Sequence, residues 1–199
     1  KVTAVNNVGE SAYSNEACAT TQAENTGGGG GGEGVVEIGF PTTSDTPNLP
    51  FDTYYSYSFS QQIYTAEEIN EVSNMSGSMI TKIAFKQSNN LVVNREIAVY
   101  IENTTETGFA DNNDWIDVTD ATKVFDDEVT LPGTDKYLEI RLDTPVEYTG
   151  GNLLISVFDK SDSFLNYGRF YCYTTTDRER SLIHSNYGSH TNINPADMT

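Results

Sequence analysis

The sequence predicts an all-β domain, a jelly-roll-like antiparallel β-sandwich with one short helix. Short segments in which apolar and polar residues alternate are typical of strands with one buried face. Clusters of Gly, Asn, Asp and Ser separate these segments at intervals that suit a sandwich. The 12 Tyr and 9 Phe residues supply large side chains for the core of such a domain.

The chain begins with a strand-like segment, KVTAVNNVGESAYSNE, which a polar stretch and six consecutive glycines follow. Six glycines behave as flexible coil because their backbone entropy opposes ordering. A phosphate-binding glycine loop is excluded, since no Lys-Ser/Thr pair and no helical pattern follow. We therefore divide the chain into an N-terminal piece (residues 1–21), a Gly-rich linker (22–34) and a main domain (35–199).

The clearest strand signal is YLEIRLD, where Leu138, Ile140 and Leu142 face one way and the charged residues face the other. Further strands are predicted at YYSYSF, TKIAFKQ, REIAVYIE, NLLISVFD and GRFYCYT. A helix is predicted at YTAEEINEV, because Thr65 and Glu68 have the spacing of a capping box.

Charge limits the classes of partner. The chain has 11 Lys and Arg against 29 Asp and Glu, a net charge of -18. Such a chain repels phosphate backbones, so we expect no binding to nucleic acid. No apolar run approaches the ~18 residues of a membrane span, so we expect no membrane insertion. Cations, neutral glycans and basic proteins remain as partners, although acidity alone also keeps a protein soluble.

Acidic loops are the candidate metal site. Clustered Asp and Asn oxygens are the ligands that calcium prefers, six to eight of them at about 2.3–2.6 Å. The candidate ligands are Asp111, Asn113, Asp114, Asp159 and Asp162. In the alternative interpretation these side chains form Asx turns and bond their own backbone.

Catalytic motifs are scarce. The two histidines, His184 and His190, have no cysteine or third histidine beside them, and no G-x-S-x-G is present. A glycosidase needs only two carboxylates, but a domain of this size does not favour a deep cleft. We therefore expect a non-enzymatic protein.

Trp115 and Tyr167 are the candidate ligand-binding residues, because an exposed aromatic ring on a loop can stack on a sugar. Trp115 directly follows the acidic loop. The alternative is that Trp115 anchors that loop in the core, where aromatic side chains are mostly found.

Two segments resemble known families. KVTAVNNVGESAYSNE resembles the final strand of a fibronectin type III domain. The main domain resembles the cleaved-adhesin, gingipain haemagglutinin-like modules of large secreted and surface proteins of Bacteroidetes. The segments that carry this second resemblance are QQIYTAEEI, GSMITKIAFK, REIAVYI, DWIDVTDATKVFDDEV, RLDTPVEYTGGNLLISVFD and RSLIHSN.

The resemblance implies an extracellular, jelly-roll-like, non-catalytic module that binds calcium and adheres to a host protein or glycan. It also implies that the last strand, which would follow a segment like NPADMT, is missing and leaves an unpaired edge. We expect residues 2–5 to pair with a sheet edge, either of the same chain or of a neighbouring one. Two other functions are alternatives to adhesion. The protein could be a carbohydrate-binding module of a secreted hydrolase or protease, or an assembly subunit that pairs strands in trans.

Overall fold

A computed structural model describes residues 5–6, 9–10, 19–24, 34–38, 48–72, 75–119, 121–173, 175 and 179–188. These residues are mostly strands, and α1 (Ala66–Val72) is the helix among them. The strands are β1 (Val5–Asn6), β2 (Gly9–Glu10), β3 (Ala19–Glu24), β4 (Gly34–Ile38), β5 (Tyr57–Tyr64), β6 (Ser78–Lys86), β7 (Asn94–Thr104), β8 (Lys123–Thr130), β9 (Tyr137–Tyr148), β10 (Asn152–Asp159) and β11 (Ser181–Asn186).

The predicted all-β sandwich is confirmed. One sheet has the strand order β11-β5-β10-β7-β8, the other has the order β4-β3-β6-β9, and every pairing within them is antiparallel. The two sheets come together along β8 and β9, which lie close without forming a ladder.

The main core lies between the two sheets. Leu138, Ile140 and Leu142 of β9 are buried in it, as their alternation predicts, while the charged residues between them are exposed. Ile97 and Ile101 of β7 enter the same core from the opposite sheet. Burial of these side chains stabilises the pairing of the sheets, at roughly 25 cal/mol per Å² of apolar surface removed from water.

The predicted boundaries of the N-terminal piece and of the linker are wrong. Residues 19–21 and 22–24 both belong to β3, which pairs with β4 on one side and with β6 on the other, and residue 34 begins β4. Val36 and Ile38 of β4 are buried in the main core. Two strands that flank the glycine run in sequence are thus part of the sandwich, while residues 25–33 lie outside the described residues.

The N-terminal segment forms a separate small ladder where it is described. Val5 pairs with Glu10, and Asn6 with Gly9, in the two-stranded sheet of β1 and β2. Val5 therefore pairs with its own neighbouring segment, and residues 2–4 lie outside the described residues. At the other end of the chain, β11 is an edge strand of the five-stranded sheet. Residues 189–199, which include NPADMT and His190, also lie outside the described residues. Strand-mediated self-association stays a prediction.

Three strand predictions need correction. β5 is buried on both faces instead of one, because residues 109–119 and Ala121 cover its outer face and Phe51 lies in the core below it. GRFYCYT forms no strand in its described residues, where Phe170 and Cys172 lie in isolated bridges, that of Phe170 to Gln87. The acidic segment KVFDDEVT, for which no strand was predicted, is the edge strand β8.

The helix begins as the capping box predicts. Glu68 Oε2 accepts hydrogen bonds from the Thr65 N–H at 2.9 Å and from the Thr65 hydroxyl at 3.0 Å. Ile69 is buried in the main core. No helix in the described part of the chain has the length and hydropathy needed to cross a membrane.

Candidate ligand-binding site

Five aromatic side chains meet at one end of the sandwich, and we call them the aromatic patch. Tyr54 and Tyr55 come just before β5, Phe164 and Tyr167 lie in the loop after β10, and Tyr187 follows β11. In the antiparallel sheet, the start of β5 lies beside the ends of β10 and β11. The strand order therefore brings these three segments together.

The rings contact one another in a continuous series. Tyr54 and Tyr167 stack with centroids 4.4 Å apart and planes 9° from parallel. Tyr55 and Tyr187 are also 4.4 Å apart, with planes tilted by 43°. Tyr187 lies 6.0 Å from Tyr54 and 6.1 Å from Phe164 in edge-to-face contacts. These spacings are those at which aromatic pairs attract each other, so the rings hold one another in place.

The patch is open to solvent. Phe164 is 67% exposed, Tyr187 50% and Tyr167 37%, whereas Tyr54 and Tyr55 are half-buried beneath them. Leu165 adds a further exposed apolar side chain beside Phe164. A contiguous exposed apolar surface of this kind marks an interaction site more often than scattered surface residues do.

The Tyr167 loop is fixed by the hydroxyl group of Thr53, which is fully buried. Thr53 Oγ1 donates to the Asn166 carbonyl at 2.7 Å and accepts from the Gly168 N–H at 2.5 Å. The Leu165 N–H donates to the Thr53 carbonyl at 2.9 Å. One residue thus fixes the backbone on both sides of Tyr167, directly beside Tyr54, with which Tyr167 stacks.

Asn89 holds the same loop from the opposite side. Its Nδ2 donates to the Tyr167 carbonyl at 2.7 Å, and its Oδ1 accepts from the Arg169 N–H at 3.1 Å. The Arg169 guanidinium lies 5.4 Å from the Tyr167 ring centroid. This distance permits a cation–π contact, which supports the ring at the edge of the patch.

Asp52 lies next to the patch but is buried. Its carboxylate accepts hydrogen bonds from Asn48 Nδ2 at 2.8 Å and from the Tyr54 N–H at 3.0 Å. Burial raises the pKa of Asp52, and the hydrogen bonds from Tyr54 and Asn48 oppose that rise. The Asp52 carboxylate positions Tyr54, and its burial keeps it away from a ligand on the surface of the patch.

The phenol of Tyr187 has an altered acidity. A hydrogen bond with Tyr54, reinforced by loss of hydration, raises the pKa of Tyr187 to about 12. The Tyr187 hydroxyl therefore stays protonated at neutral pH and is available as a hydrogen-bond donor and acceptor.

Asp162 stabilises the loop between Asp159 and Phe164. It adopts a left-handed backbone with φ of 49°, a conformation in which Asp is enriched among non-glycine residues. A hydrogen bond with Asp162, together with burial, raises the pKa of Tyr57. The predicted calcium ligand Asp162 thus has a structural contact to the first residue of β5.

The remaining predicted calcium ligands have structural contacts as well. Asp111 Oδ1 accepts from the Asn113 N–H at 2.7 Å, and Asp114 Oδ2 accepts from the Ala110 N–H at 2.7 Å. The first contact is the Asx turn of the alternative interpretation, and the second also bonds the backbone of the same loop. Asp159 is the last residue of β10 rather than a loop residue, and it is ion-paired with Arg95 at 2.6 Å. Within the described residues no group of three His, Cys, Asp or Glu side chains is arranged to hold a metal, and calcium binding stays a prediction.

Of the two predicted ligand-binding residues, Tyr167 belongs to the aromatic patch and Trp115 lies elsewhere. The Trp115 ring is 5.4 Å from the Phe59 ring on the outer face of the five-stranded sheet, in a second apolar cluster. Gln61, fully buried, fixes the neighbouring residue: its side chain donates to the Ile116 carbonyl at 2.7 Å and accepts from the Ile116 N–H at 2.9 Å. This location fits the anchoring interpretation of Trp115.

Four members of the patch, namely Tyr54, Tyr55, Phe164 and Tyr187, were not predicted from the sequence. Tyr54 and Tyr55 were assigned to the predicted strand YYSYSF, but β5 begins only at Tyr57. For Phe164 and Tyr187 a signal was present, because SFLNYG and SNYG place them among turn-forming residues, outside the predicted strands. Aromatic side chains at such positions are not needed for a core.

Comparisons with protein-family models, with curated proteins and with solved structures each found no match to the chain. The resemblance to adhesin modules therefore stays a prediction.

Proposed function

We propose that the protein is a non-catalytic, extracellular binding module that adheres to neutral glycans through the aromatic patch. The observation that carries the proposal is the exposed series of stacked tyrosine and phenylalanine rings at one end of the sandwich. Sugar rings have apolar C–H faces that pack on aromatic rings, and their hydroxyl groups need polar partners, which tyrosine supplies at its tip.

The rigidity of the patch supports binding over a purely structural role. Ordering of flexible side chains lowers affinity, so rings that already stack on one another lose little freedom when a ligand binds. Thr53 and Asn89 fix the loop that carries Tyr167 before any ligand arrives.

Charge supports a neutral ligand. The net charge of -18 disfavours polyanionic glycans at long range. Two carboxylates next to the patch, Asp52 and Asp159, are 3% and 0% exposed and are hydrogen-bonded, while a third, Asp162, is exposed and hydrogen-bonded to Tyr57. A glycosidase needs two carboxylates at the scissile bond, and neither Asp52 nor Asp159 can reach the surface to act together with Asp162, which supports binding without catalysis.

The test is retention of the protein on a panel of insoluble neutral polysaccharides, namely cellulose, chitin, xylan and mannan, measured by sedimentation depletion. We expect at least one of these polysaccharides to retain the wild-type protein but not the Phe164→Ala/Tyr187→Ala double variant. The matched control is Val92→Ala, which shortens an apolar side chain that lies outside the patch and is 65% exposed. Failure of all four polysaccharides to retain the wild type, or equal retention of the patch variant, would refute the proposal.

A further inference from the structure

Arg95 is buried beneath the loops that carry the aromatic patch. It lies on β7 and is 1% exposed, among the largest fully buried side chains of the described chain. Its Nε donates to Asp159 Oδ2 at 2.8 Å, and its Nη2 lies 2.6 Å from the same oxygen. Asp159 Oδ1 is occupied by Ser161, whose hydroxyl donates at 2.5 Å. The buried positive charge is thus compensated by a carboxylate that ends β10.

The rest of the guanidinium group contacts the backbone of two patch segments. Nη2 donates to the Tyr55 carbonyl at 3.1 Å, and Nη1 donates to the Ser163 carbonyl at 2.6 Å and lies 3.3 Å from the Ser163 hydroxyl. Tyr55 belongs to the patch, and Ser163 precedes Phe164. One planar group therefore connects the turn before β5, the end of β10 and the loop after β10.

We propose that Arg95 is the positioning residue of the aromatic patch, which sets the separation of Tyr55 and Phe164 without contacting the ligand. This inference rests on the proposed function of the patch. A buried ion pair is a weak source of stability, because loss of hydration offsets much of its attraction. The geometric specificity of a guanidinium group, which bonds several acceptors in one plane, is the better reason for placing arginine here.

The substitution that separates charge from geometry is Arg95→Lys. Lysine retains the positive charge opposite Asp159, but its single ammonium group cannot also reach the carbonyls of Tyr55 and Ser163 in the arginine geometry. The matched control is Arg180→Lys, which makes the same change in the Arg180–Glu68 ion pair (2.8 Å) at the opposite end of β5.

Two measurements are made on each variant. The first is the affinity for whichever neutral polysaccharide of the panel retains the wild type, and the second is the set of tyrosine ring resonances in ¹³C-tyrosine NMR spectra. For Arg95→Lys we expect an affinity loss of about tenfold, the factor that corresponds to one charge-assisted hydrogen bond. We also expect changed ring-current shifts for the patch tyrosines, whereas Arg180→Lys changes neither quantity.

A second variant guards against misfolding. Arg95→Met combined with Asp159→Leu replaces the buried pair by apolar side chains, a change that folded proteins often tolerate. It removes the bonds to Tyr55 and Ser163, so the same loss of affinity and the same spectral changes are expected. Wild-type affinity and wild-type tyrosine spectra in either folded Arg95 variant would overturn the inference. If the wild type binds no polysaccharide, the proposed function fails, but the spectra still decide whether Arg95 positions the rings.

Discussion

Gly168 packs so closely on Thr53 that a side chain at position 168 would have to displace its neighbours. A Cβ atom built there would lie 3.0 Å from Thr53 Cγ2 and 2.8 Å from Leu131 Cδ2. Because Thr53 also bonds the backbone on both sides of Tyr167, this contact links the packing of the loop directly to the geometry of the patch.

We therefore expect Gly168→Ala to lower the free energy of unfolding by about 1–3 kcal/mol, the usual range for an overpacked site. The same change shifts Tyr167 and weakens polysaccharide retention. Denaturant unfolding followed by Trp fluorescence measures the first effect. The matched control is Gly151→Ala, where a Cβ atom would meet only the Thr104 carbonyl at an ordinary 3.6 Å. Equal stability of the two variants would contradict the prediction.

The hydrogen bond between Tyr187 and Tyr54 predicts a change in acidity. Tyr54→Phe removes the hydroxyl group, so the pKa of Tyr187 is expected to fall from about 12 toward the ordinary value of 10. An NMR titration of ¹³C-labelled tyrosine rings measures the pKa of Tyr187 separately from those of the other tyrosines. The control is Tyr171→Phe, which removes a phenol bonded to Asp135 at 2.8 Å outside the patch. A Tyr187 titration that is the same in the wild type and in Tyr54→Phe would exclude the bond.

The fold was largely predictable because strand alternation is a local signal. Leu138, Ile140 and Leu142 reveal the buried face of β9 without any knowledge of its partners. β5 was harder to interpret, because its burial on the outer face depends on a covering segment that is distant in sequence. β3 was missed because ATTQAE is polar, and what makes it a strand is its place between β4 and β6.

The aromatic patch was predictable only in part, for a related reason. Tyr167 was named from its type and its loop, but its stacking partner Tyr54 lies in a distant segment that the sheet order brings near. Trp115 and Tyr167 were equivalent as sequence signals, and only packing distinguishes the anchored ring from the exposed one.

Trp115→Ala is expected to reduce stability and leave ligand binding intact. The Trp115 ring packs on Phe59 and helps residues 109–119 to cover β5. Because the ring is half-buried, we expect a loss of about 2 kcal/mol in unfolding free energy, below the range for fully buried tryptophan. Urea unfolding followed by circular dichroism measures it. Loss of polysaccharide retention in the folded variant would instead make Trp115 part of a binding surface.

The predicted calcium site has a direct thermal test. A cation that binds only the folded state stabilises it, so the melting temperature in millimolar calcium should exceed that in chelator. Asp111→Asn keeps an acceptor for the Asn113 N–H but removes a charge, and this variant should lose the calcium effect while it retains the turn. Equal melting temperatures of the wild-type protein with calcium and with chelator would exclude the site.

Asp126 predicts a pH-dependent contribution to stability. Its carboxylate on β8 accepts hydrogen bonds from Lys123 and from Lys160, which follows β10. Burial tends to raise the pKa of Asp126, but the two ammonium groups outweigh it and hold the pKa below 3.8. The unfolded chain then binds the proton more tightly than the folded chain does, so the stabilisation is present above about pH 4 and is lost as the pH falls through the folded-state pKa.

Asp126→Asn should therefore lower the unfolding free energy at pH 7 by at most about 1 kcal/mol, because all three side chains are partly exposed and salt screens them. The difference from wild type should shrink as the pH falls from 4 to 2, and also at high salt. Asp127→Asn is the matched control, since it makes the same charge change on the same strand at a side chain that accepts from the Glu128 N–H. Urea unfolding at several pH values measures both variants. A difference between wild type and Asp126→Asn that is independent of pH would show that the two lysine contacts do not stabilise the folded state.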